Sequence, residues 1–226
     1  MRFLIFGVPR SGTTSLYHAI VEQISEGENE PFSTDKWVGI YYNLSKLDLE
    51  SKIKTKKNFC LKSQAHQFPK FLPQKTPPNP KSICDNFNYL SKLFDKVILL
   101  DRRNEDEHLE SFFNLINKIE IRNKKGRHHA AWGFESWYGD EITEKVKNTL
   151  IENGFKELLL LLKKSIKNIS EKNNIPITYY EDLYSANKDI RTKEIEKLEL
   201  GLNTNLILKH THPKHKLRLG DSKPIL

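Results

Sequence analysis

Cysteine is nearly absent: Cys60 and Cys84 are the only two in 226 residues. That excludes a disulfide framework, so the fold must rest on a buried core, and a reducing cytoplasm is the expected setting. Long apolar runs are missing too. No stretch approaches the ~20 residues that span a bilayer, so no membrane partner is expected. The opening "RFLIFGV" is too short for a signal-peptide core and runs directly into a glycine turn, so it reads as a structural strand. No internal repeat is visible. Hydrophobic residues make up 37% and charged residues 29%, which excludes a disordered chain. The length fits a single domain, expected over residues 1–226, with a substantial core. Acidic residues fall short of basic ones, leaving a formal charge of +8. This balance favours anionic partners such as nucleotides, nucleic acid, acidic saccharides or a membrane surface. Lysines are spread along the chain, however, and only "KHTHPKHKLR" in the basic segment 203–226 forms a dense run. Charge alone therefore reads as solubilising surface.

What is present is an alternation of strand and helix patterns. "RFLIFGV" reads as a buried strand, and a helix starts near Thr13 with Leu16, Ile20 and Ile24 on its inner face. "EGENEPFSTD" reads as a polar loop, "NFCLKSQ" as a second strand, and "FPKFLPQKTPPNPK" as a connection too proline-rich for regular helix. "DKVILLDR" is the clearest strand. Asn104 caps the helix after it, where Glu105, Asp106 and Glu107 suit the dipole, and Leu109, Phe112, Phe113 and Ile116 share a face. Residues 143–174 read as a long helix broken near Gly154. "IPITYYEDL" is a last strand and its exit, with helical "TKEIEKLELGL" behind it. Strands separated by helices predict an α/β fold, a central parallel sheet flanked by helices. Sites in such sheets gather at the carboxyl ends of the strands.

One absence is local. In "GVPRSGTT" the glycines Gly7 and Gly12 have the spacing of the nucleotide-triphosphatase loop, G-x-x-x-x-G-K-[ST]. Thr13 stands where that loop carries lysine. A strand, a glycine-bounded turn and a helix start aim backbone N–H groups at one point, which suits phosphate or sulfate. Arg10 lies inside the loop, and Ser11, Thr13 and Thr14 supply hydroxyls. Without the lysine or an evident magnesium carboxylate, stabilising a transferring phosphoryl group is difficult.

The stretch "PRSGTTSL" resembles the 5′-phosphosulfate loop of sulfotransferases that use 3′-phosphoadenosine 5′-phosphosulfate. The resemblance implies a P-loop-like sulfotransferase fold and puts Pro9, Arg10, Ser11, Gly12, Thr13, Thr14 and Ser15 around the donor. A sulfuryl group carries less negative charge than a phosphoryl group, so less cationic assistance and no metal are expected. The family's second signature is a strand ending in arginine with a serine eight residues later, together gripping the 3′-phosphate. "VILLDRRNEDEHLESFF" offers Arg103 and Ser111 at that spacing, with Arg102 as the alternative guanidinium. Arginine suits the task because its fork holds phosphate through two hydrogen bonds. "PITYYEDLYS" is similar to the family's "YEDL" segment, which implies that Tyr180, Glu181 and Asp182 support the nucleotide site. The resemblance touches four regions between residues 7 and 202. Residues 118–172 match no part of it and are left as a variable, acceptor-binding region.

The same resemblance assigns chemistry. Lys62 in "CLKSQAH" is similar to the lysine placed near the bridging oxygen, and Arg10 could share that work. Two residues compete as general base. Glu30 in "NEPF" resembles the glutamate after the first helix of bacterial relatives. His66 follows Lys62 by four residues and has an ordinary pKa near ~6.5, better suited to neutral pH than a glutamate near ~4.3, but the family precedent and the neighbouring loop favour Glu30 slightly. Arg218 in "KLRLGD" resembles a basic glycine loop that closes over the 3′-phosphate. His210, His212 and His215 lack the cysteine or carboxylate set of a metal site. Aromatic and basic residues mix in "RNKKGRHHAAWGFESWY", which suits a saccharide or another polar acceptor. The implied activity is transfer of a sulfuryl group to a hydroxyl or amine of a small molecule or saccharide, releasing adenosine 3′,5′-bisphosphate. Nucleic acid is not an expected partner. The lack of a membrane helix points to a prokaryotic or viral enzyme. Two rivals remain: a kinase-like nucleotide-phosphate transferase with a degenerate loop, and a non-catalytic module binding polyanions or nucleic acid.

Overall fold

The computed structural model describes residues 1–32, 40–72, 78–124 and 144–212, without the side chains of 115–124 and 144–146. The Ile116 side chain, Arg218, His215 and the aromatic–basic stretch from 125 to 138 therefore lie outside what is described. The described strands form one five-stranded sheet in the order β2-β3-β1-β4-β5, parallel throughout. The strands are β1 (Arg2–Gly7), β2 (Gly27–Asn29), β3 (Phe59–Gln64), β4 (Lys96–Asp101) and β5 (Ile177–Tyr179). The helices are α1 (Thr13–Ile24), α2 (Lys46–Lys54), α3 (Pro80–Ser91), α4 (Glu105–Lys124), α5 (Glu144–Glu152), α6 (Phe155–Asn173), α7 (Tyr180–Leu183), α8 (Lys188–Lys197) and α9 (Thr204–His210).

Strand β1 shows why its sequence is apolar without alternation. Leu4 and Phe6 point into a layer that holds Ile83, Phe87, Leu162 and Ile166, while Phe3 and Ile5 point the other way, among Leu16, Ile20, Ile195 and Ile207. Both faces of the central strand are thus covered, the condition under which a strand reads as a continuous hydrophobic run. Helix α1 belongs to the second layer. Helix α4, through Phe112 and Phe113, belongs to the first. The helices leaving β1 and β4 therefore pack on opposite faces of neighbouring strands, which opens a crevice at the carboxyl ends of that pair.

Two readings from the sequence need correction. "EGENEPFSTD" is not wholly loop, because Gly27–Asn29 pairs with β3 in the register Gly27 to Cys60 and Asn29 to Lys62. Its side chains are Gly, Glu and Asn, so the pairing is a backbone matter that hydropathy cannot reveal. The proline-rich connection also ends inside a helix. Asn79 caps α3 with a reciprocal capping box to Ser82, and Pro80 takes the first helical position, where its missing N–H costs nothing. Gly154 breaks the long helical stretch as expected, with φ of 77° between α5 and α6. No described helix is long and apolar enough to cross a membrane.

Candidate functional site

The turn after β1 is fastened from several sides. Val8 donates its N–H to the Leu100 carbonyl of β4 at 3.2 Å. Its own carbonyl accepts from Ser11 through N–H at 3.3 Å and hydroxyl at 2.7 Å. Arg10 takes a left-handed φ of 69°, and Gly12 follows at 83° as the cap of α1. No side chain caps this helix, and its first turn holds no acidic residue. By contrast, α4 begins with Glu105, Asp106 and Glu107 and is capped by Asn104, whose Oδ1 accepts from the Glu107 N–H at 3.1 Å. The positive end of α1 is thus kept clear of anionic side chains of its own.

Across the crevice, Arg10 donates from Nε to the Ser111 hydroxyl on α4 at 3.0 Å. Two residues 101 positions apart, each assigned on a separate motif, are in direct contact.

Lys62 lies on β3 and is 1% exposed. Its Nζ donates to Thr14 Oγ1 at 2.7 Å and to Glu30 Oε1 at 2.5 Å. Burial disfavours the Lys62 ammonium and lowers its pKa; Glu30 opposes this, and Arg10 adds to it. Glu30 reaches this position because β2 delivers it there, its N–H bonded to the Lys62 carbonyl at 2.8 Å. Burial alone would raise the Glu30 carboxyl. The Lys62 charge and hydrogen bonds from Lys62, Gln67 and Gln64 outweigh it and bring the carboxyl to about 2. Both glutamines were missed by the sequence reading. Gln67 Nε2 donates to Glu30 Oε2 at 2.9 Å, and Gln64 Nε2 bridges Thr13 Oγ1 at 3.2 Å and Glu30 Oε1 at 3.3 Å.

This geometry separates the two candidate bases. A carboxylate held near pKa 2 by three donors is a poor proton acceptor. His66 sits on the turn just after β3 and is exposed to solvent, with Ala65 beside it donating to the Gly7 carbonyl at 2.9 Å. Desolvation lowers its pKa below 6.5, with Glu30 opposing, so the imidazole is neutral at pH 7 and able to accept a proton.

The adjacent arginines also part company. Arg103 donates twice to the Asp182 carboxylate, once from Nη1 at 2.7 Å, and lies 4.2 Å from the Tyr179 ring centre. Its backbone N–H donates to Glu181 at 3.0 Å. Arg103 is thereby committed to holding α7 against β4. Arg102 is 8% exposed and stacks 4.1 Å above the Tyr180 ring centre. One Nη donates to Glu107 at 3.2 Å, while the buried Nε makes no hydrogen bond but lies 3.8 Å from Glu181 Oε1 as an ion pair. Tyr180 in turn packs on Tyr184 with ring centres 4.9 Å apart.

Behind the loop lies a buried polar cluster that the sequence reading did not single out. Asp101 accepts from Lys163 at 3.1 and 3.2 Å, and Lys163 also donates to the Arg102 carbonyl. His108 is fully buried, with Nε2 2.7 Å from the Pro9 carbonyl. Its spacing from Ser111 was the available signal, since residues three apart share a helix face. Of the C-terminal histidines, His210 contacts the Glu22 carboxylate.

Comparison with models of known protein families finds no match, and comparison with curated proteins finds none either.

Proposed function

We propose that the chain is a sulfotransferase of the P-loop-like kind, using 3′-phosphoadenosine 5′-phosphosulfate as donor. The observation that carries the reading is the Arg10–Ser111 hydrogen bond. The resemblance assigns these residues to the 5′ and 3′ sides of one nucleotide, and a shared ligand requires the two motifs to converge on one crevice. Arg102 is the better partner for the 3′-phosphate, because its Nε–H makes no hydrogen bond and lies 3.8 Å from Glu181, while both Nη groups of Arg103 are bonded to Asp182.

The chemistry follows from the residues. The loop amides and the α1 terminus hold the 5′-phosphosulfate. Lys62 stands against the Thr14 hydroxyl and the Glu30 carboxylate, where triphosphate-binding loops place a divalent cation between hydroxyl and acid. Its ammonium supplies that positive charge from the protein. Glu30 holds Lys62. His66 takes the proton from the acceptor hydroxyl or amine as the new bond to sulfur forms. The bond between sulfur and the bridging phosphate oxygen breaks in line, and adenosine 3′,5′-bisphosphate leaves with the electron pair. The acceptor is a small molecule or saccharide, and the enzyme works in the cytoplasm.

The test is a thermal shift with adenosine 3′,5′-bisphosphate against ADP, AMP and ATP with magnesium. A ligand binding only the native state adds about 2.7 kcal/mol at a hundredfold excess over Kd. The expected result is a rise selective for the 3′-phosphorylated nucleotide, lost in Ser111→Ala and Arg102→Ala and reduced less in Arg103→Ala. A rise with ATP and magnesium would return the loop to the kinases. Binding to polyanions that collapses with salt and ignores these substitutions would favour the non-catalytic module.

A further inference from the structure

We propose that His108 and Tyr184, which lie outside the loop motif, are positioning residues that turn the loop's amide groups toward its ligand. The proposal rests on the functional reading above for the identity of the ligand, and on peptide geometry for everything else.

A trans peptide is planar, so the carbonyl of one residue and the N–H of the next point in opposite directions. The Pro9 carbonyl points inward to His108 Nε2 at 2.7 Å. The Arg10 N–H on the same peptide must then point outward, toward the mouth of the loop. The Gly12 carbonyl accepts from the Tyr184 hydroxyl at 2.6 Å and from the Leu16 N–H at 3.4 Å. The Thr13 N–H on that peptide likewise faces away from the core. Two peptides of one turn are therefore pinned by their carbonyls from behind, by side chains from α4 and from the end of α7. Proline at position 9 has no N–H to pin. A left-handed Arg10 is tolerated because these anchors over-determine the turn.

The hydrogen bond also dictates the state of His108. A carbonyl only accepts, so Nε2 must carry the proton. Nδ1 is then a bare lone pair, buried without a hydrogen-bond partner and 3.6 Å from the Asp101 carboxylate, itself engaged by Lys163. Burial lowers the imidazole to about 4, consistent with a neutral ring at pH 7.

The experiment has two arms. The ¹⁵N shifts of His108 in the unliganded protein report the tautomer, and the Nε2–H form with a slowly exchanging proton is expected. A population of Nδ1–H overturns the pin whatever the ligand. Titration with adenosine 3′,5′-bisphosphate then compares His108→Leu, His108→Gln and Tyr184→Phe. Losing a buried hydrogen bond that holds the competent loop should weaken binding about tenfold in His108→Leu and Tyr184→Phe. His108→Gln, whose amide can still donate to Pro9, should stay within about threefold. Equal affinities in all three variants and the wild type overturn the proposal. If His108→Leu fails to fold, Tyr184→Phe and the tautomer carry the test. If the wild type itself binds no adenosine bisphosphate, the functional reading fails, and the tautomer alone supports or overturns the pin.

Discussion

Glu30→Gln is expected to cost about 3 kcal/mol of stability in urea melts at pH 7, because it leaves the Lys62 ammonium buried without its counter-charge. Burial disfavours that ammonium to begin with, so in the variant it will surrender its proton well below the usual lysine range. The double variant Lys62→Met, Glu30→Gln should recover most of the loss, since an apolar side chain of similar length replaces the pair without desolvating a charge. It should not recover transfer. Stability will also depend on pH with a definite sign. The folded carboxyl lies at about 2, below its ordinary 4.5, so its contribution is complete above 4.5 and disappears as pH falls from there toward 2. Melts between pH 5 and pH 2 should show a steep acid limb in the wild type and a flatter one in Glu30→Gln. Single-turnover assays then separate roles. His66→Ala should slow transfer at least about a hundredfold with stability nearly unchanged, because it removes the proposed base from an exposed turn. A normal rate in His66→Ala would hand the base back to Glu30.

The part of this site legible in the sequence was the part with a strong local grammar. Gly7 and Gly12 after an apolar strand announced the turn, and Asn104 before three acidic residues announced α4. Arg102, Arg103 and Ser111 were singled out by the resemblance to sulfotransferases, not by local grammar. What stayed hidden depended on strands that hydropathy cannot see. Gly27–Asn29 has no apolar side chain, so nothing local indicated that Glu30 would be carried beside Lys62. The same blindness concealed Gln64 and Gln67, since a glutamine at a strand end shows no sign of its partner. The choice between Arg102 and Arg103 could not be made from adjacency. What tells the two apart is α7, which sends Asp182 to one guanidinium and the Tyr180 ring to the other. The six positions of the β1–β3 register, from Arg2 with Phe59 to Gly7 with Gln64, then bring the loop, Lys62 and His66 to one end of the sheet.

The largest single effect is expected at Gly12. Its φ of 83° is left-handed, and a Cβ there would lie 2.3 Å from a Tyr184 ring carbon and 3.0 Å from Tyr180. Gly154 supplies the comparison, because its φ is nearly the same at 77° while an added Cβ would meet nothing closer than a Glu157 oxygen at 4.0 Å. Gly154→Ala therefore reads the backbone cost alone, about 1 kcal/mol in a thermal melt. Gly12→Ala adds a collision that Tyr184 cannot relieve by swinging away, since its hydroxyl is bonded to the Gly12 carbonyl and its ring is buried. The total should reach about 4 kcal/mol, in the range that marks a steric fault in a packed site. Relief is possible only by shifting α7 or the loop, and either shift separates Tyr180 and Arg102 from Arg10 and Ser111. Gly12→Ala should consequently lose adenosine bisphosphate binding even at temperatures where it remains folded, whereas Gly154→Ala should bind as the wild type does. Equal losses of stability in the two variants would mean that the tyrosines do not press on the loop, and that the aromatic support for the turn has been misread.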